Sequence, residues 1–395
     1  MSRPLFCLFV ITGLLCLPLS ARAQGGEDKL AEQIEDQGGL VERDAKAPGK
    51  PVVVVDLRGI SEIKAGQIKK LAGFPKLRVL HLWGLAVTDE MLDELAGLSA
   101  LQDLDLDATR VTDAGLAKLA KIDSLRNLSL WRLAITDAGL KHLGALTKLE
   151  ELNLGNTKIT DAGLKELAKL QSLRKLELIH TGITDAGVEA VASLKNLREL
   201  SLMGTKVGDK GVKALAGLTK LEDLILTATS ITDVGVRELS ALTNLRALAL
   251  RQTKLTGRTL SKLEGLTKLR ELYLGGSEIN DATIKQLGKF PALELLDLTF
   301  SGVGDESLKD LAAVKTLRRL GLGGSKVTDA GLKALAATAP KLQGLHLIGL
   351  PITDAGLDEL AELKDLQRVF LRETRVTDAG VAKLRKALPR CEVVR

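Results

Sequence analysis

Residues 149–172, Leu-Glu-Glu-Leu-Asn-Leu-Gly-Asn-Thr-Lys-Ile-Thr-Asp-Ala-Gly-Leu-Lys-Glu-Leu-Ala-Lys-Leu-Gln-Ser, decide the fold, because Leu173-Arg-Lys-Leu-Glu-Leu begins the same pattern again at once. The Thr-Asp pair or its visible descendant falls at 88, 112, 136, 160, 184, 208, 232, 256, 280, 304 and 328, then at 353 and 377 after a one-residue insertion. A fixed period of this length is the signature of a solenoid. Within one unit, Leu149, Leu152 and Leu154 end in an alternation of period two, which predicts a short strand with Leu152 and Leu154 facing inward. Thr160 and Asp161 follow as groups able to cap free backbone N–H at a helix start, where a carboxylate is also favoured by the helix dipole. Leu164, Leu167 and Leu170 then put an apolar stripe on a helix of about two turns. A single unit cannot bury that stripe, so its neighbours must. The expected architecture is α/β: a solenoid with a parallel β-sheet on one side and short helices on the other.

The pattern Leu-x-x-Leu-x-Leu-x-x-Thr-x-Ile-Thr-Asp-Ala-Gly-Leu, best preserved at 125–140, 149–164 and 173–188, resembles the leucine-rich repeat family. Its second half is similar to the repeats of F-box substrate receptors, though without an F-box, and to those of secreted bacterial repeat proteins. The first group carries Cys or Asn where this chain has Thr or Ser at 109, 157, 181, 205, 229, 253, 277, 301, 325 and 374. A hydroxyl ladder there can still bond the backbone of the turn between strand and helix. The resemblance covers about 52–395 and implies an α/β horseshoe solenoid with a parallel β-sheet on the concave face and short helices on the convex face; it speaks to fold more than to function, because one fold hosts many functions.

Residues 1–23 read as a secretory signal: Arg3, an apolar run from Leu5 to Leu19, then Ala21-Arg22-Ala23 before Gln24. The run is shorter than the roughly 20 residues a membrane span needs. The expected product is exported to the periplasm, the cell surface or the medium, with no later membrane span. Cys7 and Cys16 leave with the leader, so Cys391 alone remains and no internal disulfide can form; Cys391 takes a strand Leu slot and is expected as a buried thiol. Losing Arg3 and Arg22 leaves 54 basic against 50 acidic residues, close to neutral.

Residues 24–51 are expected to form an N-terminal cap, with a helix near Asp28–Gln37, a stop at Gly38-Gly39 and a strand after it. The repeats run over 52–388, in about 13–14 units of 24 residues, and 389–395 form a closing half-repeat. Between 255 and 308 the cap motif departs from the rule, as Thr256-Gly-Arg-Thr-Leu, Asn280-Asp-Ala-Thr-Ile and Gly304-Asp-Glu-Ser-Leu.

In a solenoid of this kind the outward strand positions form one broad, preformed wall. They fall in three rows per unit: before the second Leu (Asp103, Glu151), between the second and third (His81, Asp105, Glu177, Tyr273), and after the third (Trp83, Asp107, Trp131). Aromatic residues are only 2% of the chain, yet both Trp and the single Tyr lie on these rows. Trp is enriched at binding hot spots. Two strands apart, Trp83 and Trp131 stand about 10 Å from each other with Asp107 between. With Asp103, Asp105, His81 and, one register on, Arg132 and His180, they form the candidate site for a cationic peptide segment or a sugar; packing of the indoles on Leu85 and Leu133 is the competing expectation.

Asp103, Asp105 and Asp107 spread over about 13 Å, too far to share one calcium ion. The four His (81, 142, 180, 346) are too scattered for zinc. No nucleophile elbow, phosphate loop or His-Glu-x-x-His occurs, so no catalysis, cofactor or metal is expected. Basic residues in one turn slot (Arg110, Lys158, Lys206, Lys254, Lys326, Arg375) lack interleaved aromatics, which argues against nucleic acid. The expectation is a monomeric, non-enzymatic module that binds a protein or peptide through the concave face, with glycan binding as the alternative and a cross-strand hydrolase third.

Overall fold

A computed structural model describes residues 26–63 and 66–395, so the leader expected at 1–23 lies outside the described residues. The repeat pattern folds as a 16-stranded sheet whose strands follow one another in chain order. Leu40–Arg43 pairs antiparallel with Val52–Asp56, and every later strand adds in parallel. From Val79–His81 onward each strand is three residues long, as in Glu151–Asn153, and helical turns such as Asp113–Leu119 and Asp137–Leu143 make the second layer. The helix of the deciding unit is shorter than two turns: Asp161–Leu164, tightening to a 3-10 turn over Lys165–Lys169. A helix Gly26–Asp36 precedes the first strand.

The core is the Leu ladder between the layers. Leu149, Leu152, Leu154, Ile159, Leu164, Leu167 and Leu170 are all at most 1% exposed. Each such side chain contributes about 1.5–3 kcal/mol on burial, and its neighbours above and below come from the adjacent units. The hydroxyl ladder forms over most of its length: Thr157 Oγ1 donates to the Leu154 carbonyl at 2.6 Å, and Thr181, Thr205 and Thr229 repeat the bond, whereas the buried Ser325 Oγ has no hydrogen-bond partner among the described residues. Ser277 departs from it, donating to Leu250 of the preceding unit.

The Thr-Asp-Ala-Gly motif does more than cap a helix. Thr160 Oγ1 accepts from Ala162 N, the expected cap. The aspartate, however, reaches forward one unit: Asp137 Oδ1 accepts from Thr160 N at 2.7 Å and Oδ2 from Thr160 Oγ1 at 2.6 Å. The same pair of bonds joins Asp113 to Thr136 and Asp161 to Thr184, and continues to Asp354 with Thr377. The glycine makes room for this carboxylate, since a Cβ on Gly163 would sit 2.5 Å from Asp137 Oδ1.

In the divergent stretch the glycine is replaced by a hydroxyl residue that turns the crowding into a bond. Ser307 Oγ donates to Asp281 Oδ1 at 2.7 Å, and Thr259 Oγ1 donates to the Asp233 carbonyl at 2.9 Å. At 257 the aspartate itself is missing. Gly257, with φ of 82°, leaves the space that Thr283 fills, Gln286 Nε2 bonds the Gly257 carbonyl, and only a 3-10 turn forms over Leu260–Leu263.

Candidate concave binding wall

Parallel, in-register pairing converts the 24-residue period into rows across the sheet. Val79, Asp103, Asn127 and Glu151 are Cα partners in succession, as are His81, Asp105, Ser129, Asn153 and Glu177. Trp83 stands two residues beyond the end of its strand, Val79–His81, and is 44% exposed; Trp131 is half-buried, lying against Gly155, where any Cβ would stand 2.8 Å from the indole Cδ1.

Asp107 is not the open acidic centre that the row pattern suggests. It is 6% exposed, accepts from Ser129 Oγ at 2.5 Å and from the Trp131 backbone N–H at 2.8 Å, and so fixes the turn that carries the second indole. Asp105 is half-buried and accepts from Asp107 N at 2.9 Å; burial pushes its carboxyl above the usual range against that bond and the pull of His81 and Arg58. Asp103 accepts from Asn127 Nδ2 at 2.9 Å. His81 Nδ1 stands 3.6 Å from Asp56 Oδ2.

Arg58, which the row pattern does not reveal, sits in the same place. Its Nε and Nη2 clamp the Asp56 carboxylate at 2.9 and 2.5 Å. Burial works against the Asp56 charge, but Arg58 and His81 outweigh it and hold the carboxyl low. Arg58, Trp83, Asp105 and Asp107 together line an open depression on the wall. Arg132 occupies a left-handed turn at φ 61° with Cζ 5.9 Å from the Trp131 ring centroid, a cation–π contact.

Further along, carboxylates outnumber cations. Lys175 Nζ is 3.3 Å from both Glu177 and Glu199. Burial pushes the Glu151 carboxyl up, with Glu199, Asp103 and Glu177 adding to it and Lys175 opposing. Asp223 is raised by burial and then by Glu199, Glu222 and Glu271. His180 is exposed at φ 52°, its ring lying over Gly204.

Tyr273 does not join this group; its strand is six away from that of Asn127–Ser129, about 29 Å. It anchors a second network. Tyr273 OH donates to Glu271 Oε2 at 2.6 Å, Arg319 Nη2 donates to Glu271 Oε1 at 2.8 Å, and Arg251 stacks on the Tyr273 ring at 4.8 Å. Arg251 Nε lies 2.6 Å from Oδ2 of the buried Asp297, a close ion pair out of line for a hydrogen bond. Burial, then Glu271, pushes the Tyr273 phenol far above its ordinary range. Arg251, Asp297 and Arg319 stand on the predicted rows, but their union depends on side chains leaning across two strands.

Among the described residues no cluster of His, Cys, Asp and Glu is arranged to hold a metal ion, and no helix is long and apolar enough to cross a membrane. Cys391 is buried, which raises its thiol.

No curated protein matches the chain. Among solved structures it is similar to an internalin (inlF) from Listeria monocytogenes, at 24% identity and a TM-score of 0.61, over 94% of this chain and 95% of that one. It is also similar to a leucine-rich repeat protein of Leptospira interrogans, at 23% identity and a TM-score of 0.56, over 86% and 94% of the two chains. At these identities the likeness establishes the solenoid alone. The model of the leucine-rich repeat region matches residues 50–209 and 115–391. With that match across nearly all the described repeats, the chain belongs to the leucine-rich repeat family.

Proposed function

We propose that this protein is an exported, non-enzymatic binding module that holds a protein or peptide partner against the concave wall between about residues 79 and 180. The fold is in general a protein-interaction fold; the place and the partner's chemistry are our reading. What carries it is the meeting on one rigid surface of an exposed indole, Trp83, with carboxyls that burial and mutual repulsion have raised, Asp105 and Glu151. A cationic segment would relieve that repulsion while its apolar stems cover the indoles. Asp103, Glu177, His81, Arg132 and His180 form the rim of the same surface, and Asp107 and Arg58 set its floor.

Glycan binding is the second reading, supported by the aromatic face of Trp83 beside Asp105 in the open depression. A pull-down comparing wild type with the Trp83→Ala, Trp131→Ala double variant tests the site. Loss of the captured partner is the expected result, and unchanged capture removes the site. Retention on a polysaccharide matrix but not on peptide would favour the second reading.

A further inference from the structure

The far half of the same wall differs from the near half in which hydrogen-bonding groups are left over. Around Tyr273 the acceptors are used: both Glu271 oxygens take donors, from Tyr273 OH and Arg319 Nη2. Asp297 has Arg251 at Oδ2 and Thr299 N at Oδ1, 3.3 Å away. Room for this buried carboxylate comes from Gly275 and Gly321, where a Cβ would approach Asp297 oxygens to 2.8 and 2.5 Å. Donors, by contrast, are left over. Arg251 engages neighbours through Nε and its stacked face, leaving both Nη groups without a partner among the described residues. Arg319 keeps Nε and Nη1 free, and Arg372, exposed at the third-row position, has no partner among them.

A guanidinium pinned by a buried carboxylate and a ring presents its remaining donors as a fixed fork, the geometry that suits a carboxylate. Arg251 and Arg372 follow strands five apart, about 24 Å, a distance that an extended segment of about seven residues bridges. Beside that path His346, one strand before, and Phe370, on the strand that Arg372 follows, bring their rings to 4.0 Å between centroids. Burial keeps the His346 imidazole toward its neutral form, so this pair adds an apolar step and not a further charge.

We propose that the concave wall carries a second subsite at Arg251, Arg319 and Arg372 that takes the side-chain carboxylates of an acidic, aromatic-containing peptide segment, so that the whole wall selects a partner with a basic stretch at one end and an acidic stretch at the other. This rests on the reading of the concave wall as the recognition surface and deepens it. Spare acceptors at Asp103, Asp105 and Glu151 face one end of such a partner, and spare guanidinium donors face the other.

The test uses the full chain and fluorescein-labelled, C-terminally amidated peptides: one of Glu, Phe and Gly, its Gln counterpart, and octalysine. Fluorescence anisotropy should show the Glu peptide binding at least about tenfold tighter than the Gln peptide, as expected for charge-assisted pairing. The advantage should vanish in an Arg251→Gln, Arg319→Gln variant. Because Arg251→Gln strips Asp297 of its partner, an Arg319→Gln, Arg372→Gln variant, which keeps that pair, should lose at least about half of the advantage in logarithmic terms. Octalysine binding should stay unchanged in both. Equal binding of Glu and Gln peptides, or a Glu advantage that survives in the second variant, overturns the second subsite. Octalysine binding with no Glu advantage would leave the near site standing and remove only this one.

Discussion

The aspartate rung between units gives the most exposed prediction about why the sequence repeats Thr-Asp-Ala-Gly. Replacing Asp137 by Ala removes two bonds at once, from Thr160 N at 2.7 Å and Thr160 Oγ1 at 2.6 Å. Hydrogen bonds to a charged acceptor contribute about 1.5–3 kcal/mol each. Both bonds lie in an exposed setting, where water can replace much of the lost partner, so the combined loss should be about 2–3 kcal/mol. Gly163→Ala tests the same rung from the other side. In a helical turn, alanine is ordinarily better than glycine by about 1 kcal/mol, but here its Cβ would lie 2.5 Å from Asp137 Oδ1. The carboxylate must move and the rung must break, so this substitution should destabilise by about 1–2 kcal/mol despite the helix preference. In the double variant the oxygen is gone, and the two losses should not add, giving a coupling of about 1 kcal/mol or more. Urea unfolding followed by circular dichroism measures all four corners. Additive losses, or a Gly163→Ala variant as stable as wild type, would refute the claim that the glycine exists to admit the neighbouring carboxylate.

Two further outcomes follow from the end and the wall of the solenoid. Deleting residues 24–58 removes the helix Gly26–Asp36 and the first two strands, and should expose the Leu core and a strand edge; light scattering should show aggregation, whereas a monomer with normal melting contradicts the capping role. Asp105, Glu151 and Asp223 have folded values raised by burial, so the folded chain keeps protons that the unfolded chain has released, and their contribution to stability is present at low pH and lost as pH rises through those raised values. A bound cation favours the ionised carboxylates instead. Octalysine affinity should therefore fall as pH is lowered from neutral through the same window, and a flat profile measured by anisotropy would show that these carboxyls do not meet the ligand.

Much of the fold was legible because a period of 24 residues leaves few alternatives. The Leu152–Leu154 alternation places the strand, Thr160 the cap, and the hydroxyl of Thr157 the turn bond. What a single unit could not disclose is any partner that lies in the next copy. Asp137 looks like a helix-start charge until Thr160 is seen above it, and the glycine at 163 looks incidental until the carboxylate beneath it is located. The same limit governs the wall. The rows of outward residues could be written down from spacing, and the register confirms them. Lean could not be read: Arg251 reaches Asp297 across two strands, and Arg58 turns back onto Asp56 beside Trp83. Asp107, open by position, is closed by Ser129, a contact that neither residue's type announces. The Ser and Thr at 259, 283 and 307 depart from the motif in a way that spacing alone does not interpret; those at 259 and 307 bond the preceding aspartate in place of a glycine's clearance, and Thr283 occupies the gap left by Gly257.

The central claim is that the indole-bearing end of the concave wall is where a cationic partner settles. The chain has only two tryptophans, both on that wall, so their emission reports on the site without any label. Titrating octalysine at low salt should shift and saturate this emission, and raising the salt to about 0.5 M should weaken the effect as screening shortens the reach of the carboxylates. Emission that stays constant while the labelled peptide is seen to bind would place the cation elsewhere and contradict the account.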